Sequence, residues 1–197
     1  MTTHIEKLGG RLPLLDPRTL SAAQKEIYDR LNATFVSWSD RINFQSTTND
    51  GRLIGPFNPI LFSPGISASF LDLHDAEEKQ TSLSERVRQV VILATGAVWQ
   101  SEYELYAHSA AARRAGISES AIQILAAGGL PDDLSEQETI AQSYAHQFSA
   151  KHRVDADLYS AAVLAFGEKG VVDLTYLIGI YHITCGLLNS FDIPRPD

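Results

Sequence analysis

A chain of 197 residues, 44% hydrophobic and 20% charged, is long enough to bury one substantial core. Its formal charge of −8, with no block of Lys or Arg, lacks the footprint of a nucleic-acid reader and argues against binding to an anionic membrane surface. A single cysteine, Cys185, excludes an intramolecular disulfide and fits a reducing, cytoplasmic setting.

The opening Met1-Thr2-Thr3-His4-Ile5-Glu6-Lys7 has no apolar run of the kind a secretory signal needs. From there the hydrophobic spacing is helical nearly throughout, with no sustained strand-like alternation. Ser21 is expected to cap a helix over 22–35, with Ile27, Leu31 and Phe35 on one stripe. Residues 45–64 hold Asn49-Asp50-Gly51, Gly55-Pro56-Phe57-Asn58-Pro59 and Ser63-Pro64-Gly65, so a long loop with one short turn over 60–62 is predicted. Long loops in compact domains tend to border functional sites.

Ser67 then opens a helix with Phe70, Leu71 and Leu73 as its inward residues. Ser82-x-x-Glu85 reads as a capping box for the next helix, which continues or breaks near Gly96. The following helix stops at Ala115-Gly116. Ser118 caps a short helix ending at Gly128-Gly129, and Ser135-x-x-Glu138 is a second capping box for a helix to about Lys151. Asp155 caps a helix ending near Gly167. The last helix, over 171–189, is apolar but carries Asp173, His182 and two glycines, so it reads as a core helix rather than a membrane span. About eight helices with short connections make an all-α bundle.

The stretch Ser101-Glu102-Tyr103-Glu104-Leu105-Tyr106-Ala107-His108 carries the chemistry. Glu104 and His108 are four apart, so in a helix they share one face. A carboxylate beside an imidazole fixes its tautomer and tunes its basicity, which suits general acid–base catalysis. Ser101 reads as a packing residue, because no nucleophile elbow frames it. Trp99 reads as a core or subunit-contact aromatic, and Tyr103 is open to either that role or substrate contact. His182 and Cys185 sit three apart on the last helix but fall short of a zinc ligand set. No phosphate-binding glycine motif is present.

Taken in order, Leu83-x-x-Arg86-x-Arg88-x-Val90-Val91-Ile92-Leu93, Tyr103-Glu104-x3-His108, Ala111, Ala115-Gly116-Ile117-Ser118 and Ile122 closely resemble the carboxymuconolactone decarboxylase family. Gly55-Pro56-Phe57-Asn58-Pro59 upstream and Leu174-x-x-Leu177-Ile178-Gly179-x-Tyr181 with Leu187-Leu188-Asn189-x-Phe191 downstream extend the resemblance over about residues 50–195. It implies an all-α, single-domain, multi-helix bundle of the alkylhydroperoxidase D-like type. Residues 1–50 would be an N-terminal helical extension and 51–197 the family domain, forming one compact unit.

The family has two branches. The peroxide-reducing branch uses Cys-x-x-Cys-x-x-x-His with an upstream glutamate. Alignment on His108 puts Ser101 and Glu104 at the two cysteines and Gln89 at the glutamate, so the dithiol chemistry is missing here. The resemblance to the other branch implies a cofactor-independent, metal-free lyase acting on a small organic acid or lactone. Its catalytic residues would be His108 and Glu104, with Tyr103, Phe57, Tyr181 and Asn189 binding substrate. Decarboxylation is the expected step, with hydration or isomerisation as neighbours on the same residues. The expected partners are a small-molecule substrate and further copies of the chain, in a trimer or hexamer. The alternatives are a ligand-binding member without catalysis and an antioxidant working through Cys185 alone.

Overall fold

The computed structural model describes residues 7–196. The first six residues, part of the segment read above for a signal, lie outside the described residues, as does Asp197. The described chain is helical with no strand; one antiparallel bridge joins Thr47 and Leu53. The all-α expectation holds.

The first helix lying wholly among the described residues, α1 (Ala22–Leu31), opens as expected. The Gln24 amide donates to Ser21 Oγ and the Gln24 side chain accepts from the Ser21 amide. The helical path outlasts the expected end at Phe35. A wider turn, Asn32–Val36, leads into α2 (Ser37–Ile42), which Asn43 closes in a left-handed conformation. The loop that follows contains α3 (Phe57–Ile60). The next helix, α4 (Pro64–Gln80), starts before the expected Ser67, since Pro64 is already set for a first helical turn. Ser67 instead turns inward and donates to the Ile60 carbonyl at 2.7 Å. Leu71 is buried while Leu73 is exposed, correcting the expected inward set, because positions two apart cannot share a helix face.

The described chain divides into two compact units, one running to Asp75 and resuming at Gly186, the other Ala76–Cys185. This differs from the expected boundary at residue 50. Ile27 and Leu31 share one core cluster with Leu53, Phe57, Ile60, Leu61 and Leu71, so 51–75 goes with the N-terminal helices.

In the second unit α5 (Glu85–Trp99) is the central element. Val90 to Ala94 are buried without interruption, the mark of a helix surrounded on all sides. It packs on α8 (Glu136–Lys151), α6 (Glu102–Arg114) and α7 (Glu119–Ala126). Its cap is Ser84, whose hydroxyl accepts from the Val87 amide, not Ser82. Ser82 Oγ instead donates to Asp173 at 2.7 Å. Nor does Gly96 break the helix. A Cβ there would lie 3.3 Å from the Leu105 side chain and 3.4 Å from that of Glu104, so the glycine lets α5 and α6 approach closely. The break falls at Gln100, with φ 52°.

The two expected C-terminal helices are both present: the stretch Ala156–Ser190, labelled α9 as a whole, is two helices that meet at a kink at Gly167, with φ 70° and ψ 171°. By length and composition α9 could cross a membrane, but Leu174, Leu177 and Ile178 are fully buried in the fold, as in a core helix. One buried ion pair joins Arg88 of α5 to Glu77 of α4. Burial works against the Arg88 charge, and the Glu77 carboxylate outweighs it.

Candidate proton-transfer site

Gln89, Ser101, Glu104, His108, Tyr181 and Cys185 all belong to the second unit, and every one of them is buried. The helical repeat aligns Glu85 with Gln89 on α5 and Glu104 with His108 on α6, and these rows meet at the imidazole. Gln89 Nε2 donates to Glu85 Oε1 at 2.8 Å. Since that carboxylate only accepts, the Gln89 amide is fixed with its oxygen toward His108, 2.8 Å from Nδ1. This network assigns the proton of the neutral ring to Nδ1 and makes Nε2 the accepting nitrogen.

Glu104 Oε1 lies 3.1 Å from His108 Nε2. The contact is off-axis, because Oε1 makes no hydrogen bond of ordinary geometry. Apo sites commonly hold such contacts loose, to tighten with substrate. Burial pushes the Glu104 carboxyl from 4.5 up to about 8. Around neutral pH it therefore keeps a proton, which can pass to Nε2. Sequence reasoning gave Glu104 the task of orienting the imidazole. In the structure Gln89 does that, through Nδ1, and Glu104 faces the other nitrogen as a proton partner. The signal for Gln89 was present in its i, i+4 relation to Glu85, but the position was read only as a missing glutamate.

Neutral side chains are buried around the imidazole. The Tyr181 ring meets His108 edge to face at 5.0 Å and 90°. Burial, with the Glu104 carboxylate adding to it, holds the Tyr181 phenol well above its usual range. Burial also pushes the Cys185 thiol up, and the Ser101 hydroxyl beside it only partly opposes this. Cys185 is thus a protonated, hidden thiol, unlike the exposed low-pKa thiolate that peroxide chemistry requires.

Of the other expected site residues, Tyr103 is fully buried and meets the Tyr106 ring at 5.9 Å. Burial keeps its phenol neutral. Phe57 and Asn189 belong to the first unit, where Phe57 packs on Phe35 at 5.6 Å and Asn189 is exposed in the last turn of α9. His182 parts from Cys185 to meet Ser149, Nε2 to Oγ at 2.9 Å, between Trp99 and Phe148. Glu104 and His108 offer two ligand atoms, short of the three or four of a zinc site.

The fold and this site define an all-α protein of the alkylhydroperoxidase D-like architecture. The alkylhydroperoxidase AhpD core of an uncharacterized peroxidase-related protein from Ralstonia eutropha JMP134 superposes with TM-score 0.76 at 19% identity, over 96% of this chain and 93% of that one. An uncharacterized peroxidase-related protein from Silicibacter sp. TM1040 gives 0.73 at 12%, over 95% and 92%. A cysteine-to-alanine variant of the debrominase Bmp8, in complex with 2,3,4-tribromopyrrole, gives 0.69 at 14%, over 95% and 94%. At such identities the likeness is one of fold. Residues 64–147 match the model of the carboxymuconolactone decarboxylase family. A comparison with curated proteins returns no match in sequence.

Proposed function

We propose that the protein is a cofactor-independent lyase that acts on a small organic acid or lactone by proton transfer through His108 and Glu104. One observation carries this reading: a buried carboxyl pushed up to about 8 stands 3.1 Å from an imidazole nitrogen whose tautomer Gln89 fixes. An acid poised near the working pH is what general acid–base catalysis selects.

In the decarboxylation, the substrate's C–COO⁻ bond breaks, carbon dioxide leaves, and the electron pair stays as a dienolate. His108 Nε2 delivers one proton to that carbon, using the proton shared with Glu104. Solvent then restores the pair. Positioned proton transfer contributes on the order of 10²–10⁴-fold.

The arginines favour a lightly charged substrate. Arg86 pairs with Glu138, Arg88 with Glu77, Arg113 with Glu119 and Arg52 with Asp50. A dianion drawing on any of these four would have to recruit a cation already engaged. Self-association is part of the same proposal. Val172, Tyr176 and Ile183 leave an exposed apolar row on α9, a surface suited to a second copy. Analytical ultracentrifugation checks this, with a monomer as the contrary outcome.

The direct test measures carbon dioxide release from γ-carboxymuconolactone, and solvent-deuterium exchange into monoanionic lactones, for wild type and His108→Ala. Turnover in wild type that vanishes in a folded His108→Ala supports the reading. Equal rates in both proteins, or none across the panel, overturn it.

A further inference from the structure

The N-terminal end of α6 shows a feature that proton transfer alone does not explain. Ser101 occupies the N-cap, but its side chain caps nothing. The serines at the other N-caps, Ser21, Ser84, Ser118 and Ser135, each accept from an amide of the first turn. The Ser101 hydroxyl is wholly buried and makes no hydrogen bond of ordinary geometry; its neighbour is the Cys185 thiol, a weak partner. Three residues on, Glu104 Oε1 is a second buried oxygen without such a bond. A buried polar group left unsatisfied is costly, so two within one turn of a helix mark a place where a polar guest belongs.

The chemistry of that place is one-sided. Ser101 Oγ–H is a donor, and Glu104 is a donor while protonated. The first-turn amides of α6 add the positive end of a helix of 13 residues. The hydroxyl and the amides suit an oxygen carrying partial or full negative charge, and Glu104 adds to them until its proton passes to His108. The surrounding Tyr181 and Cys185 are buried and neutral, which strengthens such an interaction.

We infer that Ser101 and Glu104 form a subsite at the start of α6 that takes a carbonyl or enolate oxygen of the substrate. This rests on the proton-transfer reading, to which it adds the group holding the oxygen while His108 serves the neighbouring carbon. It makes Ser101 a substrate-touching residue and gives its departure from capping a purpose.

The test uses binding, which is separable from turnover. γ-Butyrolactone, which has an exocyclic carbonyl oxygen, and tetrahydrofuran, which lacks it, are titrated into the full chain and followed by the ¹⁵N–¹H shifts of residues 101–104. The lactone is expected to shift these amides saturably and tetrahydrofuran not to. Ser101→Ala should weaken the lactone at least 10-fold while the unliganded variant melts at or above the wild-type temperature. Equal response to the two probes, no lactone response, or unchanged affinity in Ser101→Ala overturns the subsite. A Ser101→Ala variant that melts several degrees lower also overturns it, because the hydroxyl would then be satisfied within the fold. Lactone binding retained in His108→Ala without any turnover in wild type would instead count against the lyase reading and leave the subsite standing.

Discussion

Glu104→Gln isolates the physical claim on which the site rests. The amide has the shape of the protonated carboxyl and can still donate toward His108 Nε2, but it cannot ionise. Burial raises the folded-state value from 4.5 to about 8, so between these values the folded protein holds a proton that the unfolded chain has lost. Stability therefore falls as pH rises through that window, and the loss is complete above about 8. At about 1.4 kcal/mol per unit, the full shift corresponds to about 5 kcal/mol, of which about 4 appears between pH 5 and pH 8. These are upper figures, since an imidazolium on His108 would stabilise the carboxylate. The assay is urea unfolding of wild type and Glu104→Gln at half-unit steps from pH 5 to pH 9. Subtracting the curves removes every other titrating group. The variant should match wild type near pH 5 and gain on it steadily to pH 8. Parallel curves, or a wild type that gains on the variant with rising pH, would refute a buried, proton-retaining Glu104.

Gln89→Leu removes the acceptor that fixes Nδ1–H. The ¹⁵N resonances of His108 should change from a single Nδ1–H tautomer to a mixture, and turnover should fall at least about 10-fold of the 10²–10⁴ available. An unchanged tautomer would dismiss Gln89 as the positioning residue. Arg88→Met leaves Glu77 buried without its cation and should cost roughly 3–5 kcal/mol in denaturant unfolding, most of it recovered in Arg88→Met/Glu77→Met. Gly167→Ala should cost about 1–3 kcal/mol through the backbone alone, because at φ 70° and ψ 171° a Cβ is strained while nothing lies within 4 Å to clash. Cys185 should stay unmodified by Ellman's reagent in the native protein and react once unfolded; rapid native labelling would reopen thiol chemistry.

The elements legible in the sequence are those whose signals are local. Ser21-x-x-Gln24 and Ser135-x-x-Glu138 form capping boxes, Ser118 caps its short helix, and the spacing of Ile27 and Leu31 points to a common core. The misreadings arise where a distant partner decides. Ser82 has the spacing of a cap, but Asp173, remote in sequence, takes its hydroxyl and leaves the cap to Ser84. At Gly96 the sequence leaves continuation and break both open, and the close approach of Glu104 and Leu105 shows what the glycine is for. The same holds at the site. The pairing of Glu104 with His108 follows from a four-residue interval, but the division of labour does not. It depends on Gln89 arriving from another helix, held by Glu85, and on a burial deep enough to keep a carboxyl protonated. Ser101 shows the limit most sharply. The sequence reads it as a packing residue, and only the folded chain shows a buried hydroxyl at a helix N-cap that caps nothing, the observation from which the substrate-oxygen subsite is inferred.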